Sequence, residues 1–276
     1  MNNLLHHPIR PDSALAAEFW EAGRSASCPI YDMHGHMGPF GPIYFPCETP
    51  EAMLRHMESA GVELLCFAPH SSLMSPMTGN TESVAAVRRY PRHFRAYMAI
   101  NPNYPDLAAA DLARIDEWRD VFVGFKFLSD YHGQPLSHDA YRPALEFADS
   151  RRLLVLMHTW SGSPCDGPAE VRKVAARYPN AIFLLGHSFN NHWHEAIAVA
   201  REFPNTNLEL TSVLGLRGVI ERLVEGVGSG RLIFGTDLPW FSEHQGIGSL
   251  LSCDISEGDI HNILHRNAEK LLAGAG

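Results

Sequence analysis

Two histidines stand at alternate positions in the stretch Ile30 to His36, shortly after Pro29. If this stretch is a β-strand, residues two apart share one face at a spacing of about 6 to 7 Å. His34 and His36 would then point the same way and could chelate a metal ion. The Gly- and Pro-rich run 38–42 follows, which predicts a short buried strand that ends in a loop. A lone His-x-His pair also occurs in purely structural roles, so the rest of the chain must decide.

The overall composition narrows the possible functions. The chain has 276 residues, of which 45% are hydrophobic, and a net charge of -9. This predicts a globular protein with a sizeable core and argues against binding to nucleic acid, which requires a basic surface. The five cysteines form no Cys-x-x-Cys pair, which indicates free thiols in a reducing compartment. Neither a signal peptide nor a membrane span is evident, so we expect a cytoplasmic protein without membrane contact.

From Cys28 onward, apolar runs of strand length alternate with helix-patterned stretches. Such alternation predicts an α/β protein with a parallel sheet that is buried on both faces. Eight repeats in this length fit a closed (β/α)8 TIM barrel. An open doubly wound sheet is the competitor, but no Gly-x-Gly-x-x-Gly follows the first strand. The predicted strands are 30–33, 62–67, 94–100, 121–128, 153–157, 181–185, 207–210 and 231–234.

The barrel is predicted to occupy residues 28–276 as one domain, after an N-terminal extension over residues 1–27. In the extension, Ser13 is the expected N-cap of a short helix that runs from Ala14 to Ala22 and ends at Gly23. The stretch 71–80, with Ser, Met, Pro and Gly, is predicted to be a loop that could cover a site. The predicted barrel helices are 51–60, 82–90, 107–118, 140–150, 169–178, 192–203 and 219–227, with closing helices over 259–272.

Unusual polar residues fall where the predicted strands end. In a barrel of this kind, the carboxyl ends of all strands line a single pocket. The first strand supplies His34 and His36, and Asp32 is expected to point inward one layer deeper. Because so many ligand-type side chains meet at one rim, independent structural histidines are the weaker explanation. The other strand-end residues are Lys126 on the fourth strand, His158 on the fifth, His187 on the sixth and Asp237 on the eighth.

Five motifs coincide with these strand ends. They are Asp-x-His-x-His at 32–36, Gly-Phe-Lys-Phe at 124–127, His-Thr at 158–159, Gly-His at 186–187 and Phe-Gly-Thr-Asp-x-Pro at 234–239. Together they resemble the amidohydrolase superfamily, and more narrowly its amidohydrolase-related (amidohydrolase 2) branch of metal-dependent hydrolases, lactonases and aromatic-acid decarboxylases. Ser188 and Phe189 stand where the family often has glycines, so the backbone after His187 is expected to differ.

The resemblance implies a metal-dependent enzyme with Zn²⁺ or another divalent ion. The expected protein ligands are His34, His36, His158 and Asp237, a set that suits such ions. A bound ion lowers the pKa of water towards about 7, and Asp237 would take the proton of that water. His187, if not a ligand, would stabilise developing negative charge or donate a proton.

Lys126 leaves the number of ions open. In two-metal members of the superfamily, a carboxylated lysine on the fourth strand bridges both ions, and His187 would then also be a ligand. If this chain binds one ion, an uncarboxylated Lys126 could instead pair with a substrate carboxylate or contact a residue that supports the metal ligands. We favour one ion per chain.

We therefore expect a metal-dependent hydrolase of a small-molecule ester, lactone or amide. The alternative is a non-oxidative decarboxylase of an aromatic or unsaturated carboxylic acid, which uses the same ligands but must keep water from the reacting carbon. A metal-stabilised barrel that only binds a partner is a third possibility. Trp160, Arg217 and Trp240 are the expected substrate contacts, and the resemblance is compatible with a homo-oligomer.

Overall fold

The computed structural model describes residues 13–274, apart from the side chain of Met77. Within this range, eight strands pair in parallel and in sequence order to form one sheet. The strands are β1 (Tyr31–Gly35), β2 (Leu64–Phe67), β3 (Phe94–Ile100), β4 (Phe122–Phe127), β5 (Leu154–His158), β6 (Ile182–Gly186), β7 (Thr206–Glu209) and β8 (Leu232–Ile233). All eight predicted strands are confirmed, with small differences in their bounds.

Hydrogen bonds between β1 and the segment that follows β8 close the sheet into a barrel. The amide of Met33 donates to the carbonyl of Phe234 at 3.0 Å, and the amide of Asp237 donates to the carbonyl of His34 at 2.7 Å. The amide of His36 continues the ladder to the carbonyl of Leu238 at 2.7 Å. The fold is therefore the predicted (β/α)8 TIM barrel, and its closure brings the residues after β8 against the first histidine pair.

Helices follow the strands and form the outer layer. They are α1 (Ala14–Ala22), α2 (Pro50–Ala60), α3 (His70–Met74), α4 (Pro76–Arg89), α5 (Pro105–Ala113), α6 (Ser129–His132), α7 (Arg142–Arg151), α8 (Pro168–Arg177), α9 (Trp193–Glu202), α10 (Val219–Val227), α11 (Glu243–Leu251), α12 (Glu257–His261) and α13 (Asn267–Gly274). Among the described residues, none of them combines the length and apolar character of a membrane span.

The ends of these helices show which local signals were informative. Helix α1 begins after the N-cap Ser13 and ends at Gly23, which adopts a left-handed φ of 71°, as predicted. The prediction of a loop over 71–80 is wrong, because α3 and α4 occupy most of that stretch. Pro76 is at the start of α4, where its fixed φ and missing amide hydrogen favour the first helical turn.

Two apolar clusters make up the core. The larger lies between the strands and the helices, and α1 contributes to it. The smaller takes alternate residues from the strands and fills the barrel interior, where Ala268 of α13 joins it. A register shift within β1 brings Met33 into this interior cluster, whereas Asp32 lies near Glu243 of α11. The expected inward position of Asp32 is therefore wrong, since simple alternation cannot anticipate a bulge.

Candidate active site

His34, His36 and Asp237 meet at the carboxyl end of the barrel. Oδ1 of Asp237 lies 3.1 Å from Nε2 of His36 and 3.5 Å from Nε2 of His34. Asp237 adopts a left-handed φ of 63°, held by its amide hydrogen bond to the His34 carbonyl. All potential ligand atoms of these three residues lie within 4.8 Å of one another. We call this group the upper triad.

The hydrogen bonds around the upper triad place the ring protons of His34 and His36 on Nδ1 and leave Nε2 of each ring free to bind an ion. Nδ1 of His34 donates to Oε2 of Glu209 at 2.9 Å, and Nδ1 of His36 donates to the carbonyl of Ala68 at 2.9 Å. In this tautomer the Nε2 atom of each ring is a lone-pair acceptor that faces Oδ1 of Asp237. This oxygen is buried and has no hydrogen-bond partner among the described residues. Three converging acceptors fit a divalent cation between them.

The charge states follow from burial. Burial lowers the pKa of His34 and of His187 well below the ordinary value, so both rings are neutral at physiological pH. Burial alone would raise the pKa of Asp237, but when no ion is bound a proton shared with the adjacent His34 and His36 rings holds it well below its ordinary value. The upper triad therefore offers two imidazole lone pairs and one carboxylate, which suits zinc and similar ions.

Lys126 lies directly beside the upper triad. Its Nζ atom is 2.7 Å from Nε2 of His34, and the side chain is buried. Burial lowers the pKa of Lys126 to about 8, opposed by the negative charges of Asp237 and Glu209. The ammonium group and a metal ion would use the same lone pair of His34. A loaded site therefore requires Lys126 to turn away from this ring.

His158 and His187 form a second pair of rings at the same rim. Their centroids are 4.9 Å apart, and His158 stacks on Trp160 at 5.7 Å. Nδ1 of His158 donates to Asp166 at 2.9 Å, and Nδ1 of His187 lies 3.2 Å from the hydroxyl of Ser212. The structure brings both rings to the site, but His158 is outside the closely spaced upper triad. Its role as a further ligand stays a prediction.

The backbone after β6 has an unusual left-handed turn. His187, Ser188 and Phe189 have φ angles of 65°, 46° and 58°, and each such non-glycine residue costs about 1 to 3 kcal/mol. The Ser188 hydroxyl donates to the carbonyl of Glu209 at 2.7 Å, and the Phe189 amide donates to the hydroxyl of Thr159 at 3.2 Å. These bonds hold the turn although none of its three residues is glycine.

Glu209, at the end of β7, was missed by the sequence analysis. Besides His34, its carboxylate accepts hydrogen bonds from the amide and hydroxyl of Thr211 at 2.7 and 2.6 Å. Gly235 makes room for it, because an added Cβ there would lie 2.2 Å from Oε1 of Glu209. The sequence signal that could have identified Glu209 is its position as an acidic residue at the end of a predicted strand. Asp166, the partner of His158, lies in a loop and gave none.

A cavity of about 170 Å³ opens above these side chains. It reaches His36, Lys126, His158, His187 and Asp237. Its apolar lining consists of Phe40, Leu73, Met74, Leu128, Tyr131, Trp160, Trp240 and Phe241. Trp160 and Trp240 therefore lie where substrate contact was predicted. Arg217 does not, because it precedes α10 and lines a separate surface cavity beside Trp20 and His244. The geometry gives no support to a substrate contact by Arg217.

Trp240 is fixed by a buried histidine. Its Nε1 atom donates to Nε2 of His70 at 3.0 Å, while Nδ1 of His70 donates to the carbonyl of Gly38 at 2.6 Å. Burial lowers the pKa of His70 to about 4. Both nitrogens are occupied, so His70 supports the wall of the cavity and is not available to a ligand.

Comparison with known proteins identifies the family and the fold. The family model described as amidohydrolase matches residues 67–273, which is more than half of the chain. No curated protein matches the chain significantly. An uncharacterised TIM-barrel protein from Bordetella bronchiseptica superposes with a TM-score of 0.75 at 19% identity, covering 90% of this chain and 99% of that one.

Two further solved structures share the fold at low identity. One is a dihydroxybenzoic acid decarboxylase from a Polaromonas species with bound manganese and the inhibitor 2-nitroresorcinol. It has a TM-score of 0.74 at 15% identity and covers 89% of this chain and 97% of that one. The other is 5-carboxyvanillate decarboxylase from Novosphingobium aromaticivorans with manganese and 4-hydroxy-3-methoxy-5-nitrobenzoic acid. It has a TM-score of 0.69 at 13% identity, with coverages of 90% and 96%.

Proposed function

The chain belongs to the amidohydrolase family, and on that premise we propose that it is a metal-dependent decarboxylase of a small aromatic carboxylic acid. The observation that carries this proposal is the cavity of about 170 Å³, with mainly aromatic walls, beside the upper triad. A cavity of about 150 Å³ is enough for benzene, so a single substituted ring fits. The manganese-containing decarboxylases of the same fold support the proposal.

His34, His36 and Asp237 would hold one divalent ion, zinc or manganese, which would supply Lewis-acid stabilisation of negative charge on the substrate. Lys126 lies at the floor of the cavity, where its ammonium group can pair with the substrate carboxylate. Trp160 and Trp240 hold the ring between apolar surfaces and reduce the access of water to the reacting carbon.

Decarboxylation breaks the bond between the ring carbon and the carboxyl carbon. The ring carbon keeps the electron pair and takes up one proton, so a carboxylate and a proton yield carbon dioxide and the protonated ring. We assign proton delivery to Asp237, since its side chain belongs to the upper triad and also lines the cavity. Its carboxylate is ionised at rest, so it first takes up a proton from solvent and then passes it to the ring carbon. His187, at the same rim, stabilises the negative charge that develops on the ring as the carboxyl group leaves.

Hydrolysis of an ester, lactone or amide is the second candidate. The observation that favours it is the solvent exposure of residues that line the cavity. Tyr131 is 54% exposed and Phe241 is 44% exposed. Water can therefore enter from the mouth and approach Asp237, which would act as a general base.

The two candidates differ in their products. Purified protein loaded with Mn²⁺ or Zn²⁺ is assayed against hydroxylated benzoates for carbon dioxide release, and against a panel of lactones, esters and amides for acid release. We expect carbon dioxide from a hydroxylated benzoate, released about 10² to 10⁴-fold more slowly by the Asp237→Asn variant. Acid release from the second panel without carbon dioxide from the first would overturn the decarboxylase assignment in favour of the hydrolase.

A further inference from the structure

A second group of metal-ligand side chains lies at the other end of the barrel. Cys28 precedes β1, His261 ends α12, and His265 lies in the single π-helical turn Asn262–Arg266 that leads into α13. Among the described residues, this group and the upper triad are the two whose potential ligand atoms lie within 4.8 Å of one another. We call it the lower cluster.

The distances in the lower cluster match a tetrahedral ion. Sγ of Cys28 lies 3.3 Å from Nδ1 of His261, and that nitrogen lies 3.2 Å from Nε2 of His265. Zinc with bonds of about 2.3 Å to sulfur and about 2.05 Å to nitrogen places sulfur and nitrogen about 3.6 Å apart and two nitrogens about 3.3 Å apart. Shifts of a few tenths of an ångström are enough to enclose an ion.

A carboxylate orients one of the ligands. Nδ1 of His265 donates to Oε1 of Glu269 at 3.0 Å, so the Nε2 lone pair of His265 faces the interior of the cluster. Metal-bound histidines almost always carry such a partner on their other nitrogen. His265 also lies in a π-helical turn, and such turns are frequent at functional sites.

The surroundings favour a cation. Burial raises the pKa of the Cys28 thiol to about 12, and the carboxylates of Glu18, Glu269 and Glu63 add to this rise against the single cation Arg266. Without an ion the thiol is therefore neutral, and the negative charges around it favour a cation. The Cys28 side chain is buried, while His261 and His265 are partly accessible. An ion can therefore reach the cluster from the histidine side.

We propose that Cys28, His261 and His265 bind a structural zinc ion that joins the segment before β1 to the closing helices. Cys28 binds as the thiolate and its proton passes to solvent, and a water completes the tetrahedron. Cys28 and His261 are 233 residues apart in the sequence, so the ion ties the start of the barrel segment of the chain to its closing helices. The site is independent of the proposed decarboxylation.

Cobalt is a suitable probe, since only a thiolate ligand gives an intense sulfur-to-cobalt charge-transfer absorption. The full chain is titrated with Co²⁺, and zinc is then added to displace it. We expect a charge-transfer band whose limiting intensity corresponds to one thiolate-bound cobalt ion per chain and which disappears with zinc. The upper triad contains no sulfur, so its loading does not contribute to this band.

Variants assign the band to the cluster. Cys28→Ser should abolish it, and His265→Gln should weaken cobalt binding at the band at least tenfold. Cys253→Ser, a change at another buried cysteine outside the cluster, should keep it. Zinc should also raise the Tm of the wild type more than that of His265→Gln, which provides a readout even if Cys28→Ser fails to fold.

Two results would overturn the proposal. One is the lack of a charge-transfer band in the wild type while cobalt loads the upper triad. The three side chains then form only a hydrogen-bonded chain in which the Cys28 thiol donates to the Pro29 carbonyl at 3.2 Å. The other is a band that persists unchanged in both Cys28→Ser and His265→Gln, which would assign it to a different cysteine.

Discussion

The upper triad and the lower cluster each contain a histidine that is hydrogen-bonded to a glutamate, but the two pairs lie in different environments. In each, a histidine donates its Nδ1 proton to a glutamate and directs Nε2 at a potential metal position. The His34 and Glu209 side chains are both fully buried, whereas those of His265 and Glu269 are 11% and 42% exposed. A carboxylate in a dry site interacts with its partner much more strongly than one in contact with water. Burial therefore suits the upper pair to catalysis and leaves the lower pair a weaker, positioning role.

The secondary-structure elements that position the two groups also differ. The upper residues lie on strand ends that are held by the closed barrel, so their positions are set by the sheet. Of the lower histidines, His261 ends α12 and His265 lies in the π-helical turn that follows, near the end of the described chain. The comparison predicts that changes at the upper triad reduce activity and that changes at the lower cluster reduce stability instead.

The largest expected effect is on turnover in Asp237→Asn. The amide can still reach an ion, but it can neither take up nor deliver a proton, so kcat should fall by about 10² to 10⁴-fold. Steady-state assays with elemental analysis of the same sample measure both quantities. Metal content should fall much less than kcat. Near-normal turnover would remove Asp237 from the mechanism.

The second-largest expected effect distinguishes Glu209 of the upper site from Glu269 of the lower cluster. Loss of a carboxylate behind a metal-bound histidine reduces metal affinity or activity by about 10 to 100-fold. We expect a reduction of this size in Glu209→Gln and unchanged activity in Glu269→Gln, whose effect should be confined to the thermal stability of the zinc-loaded protein. Circular dichroism confirms that both variants fold. Equal losses of activity would show that burial does not distinguish the two pairs.

The same contrast explains what the sequence could predict. The period of two in a strand places His34 and His36 on one rim, and the barrel rule adds Lys126, His158, His187 and Asp237. Glu209 was missed although it lies at a strand end, because its role is evident only from its hydrogen bond to His34. The bulge in β1 and the π-helical turn break the regular periods, so the position of Asp32 and the whole lower cluster required the structure.

Lys126→Met tests how many ions the upper site uses. In the one-ion interpretation, Lys126 pairs with the substrate carboxylate, and loss of such a charged contact should raise KM by about tenfold. Metal content should stay the same, as measured by elemental analysis with and without bicarbonate. A loss of one ion from a bicarbonate-dependent pair would instead identify Lys126 as a carboxylated bridge.

The smallest effect is expected at the mouth of the cavity. Trp160 stacks on His158 with an interplanar angle of 10° and is 37% exposed. An aromatic contact is worth about 0.5 to 1.5 kcal/mol, so Trp160→Ala should raise KM for an aromatic acid by about 2 to 10-fold and change kcat little. Trp20→Ala is a matched control, since Trp20 is 46% exposed and lines a different cavity. A fall in kcat with constant KM would mean that Trp160 acts by positioning His158, which would bring His158 into the reaction itself.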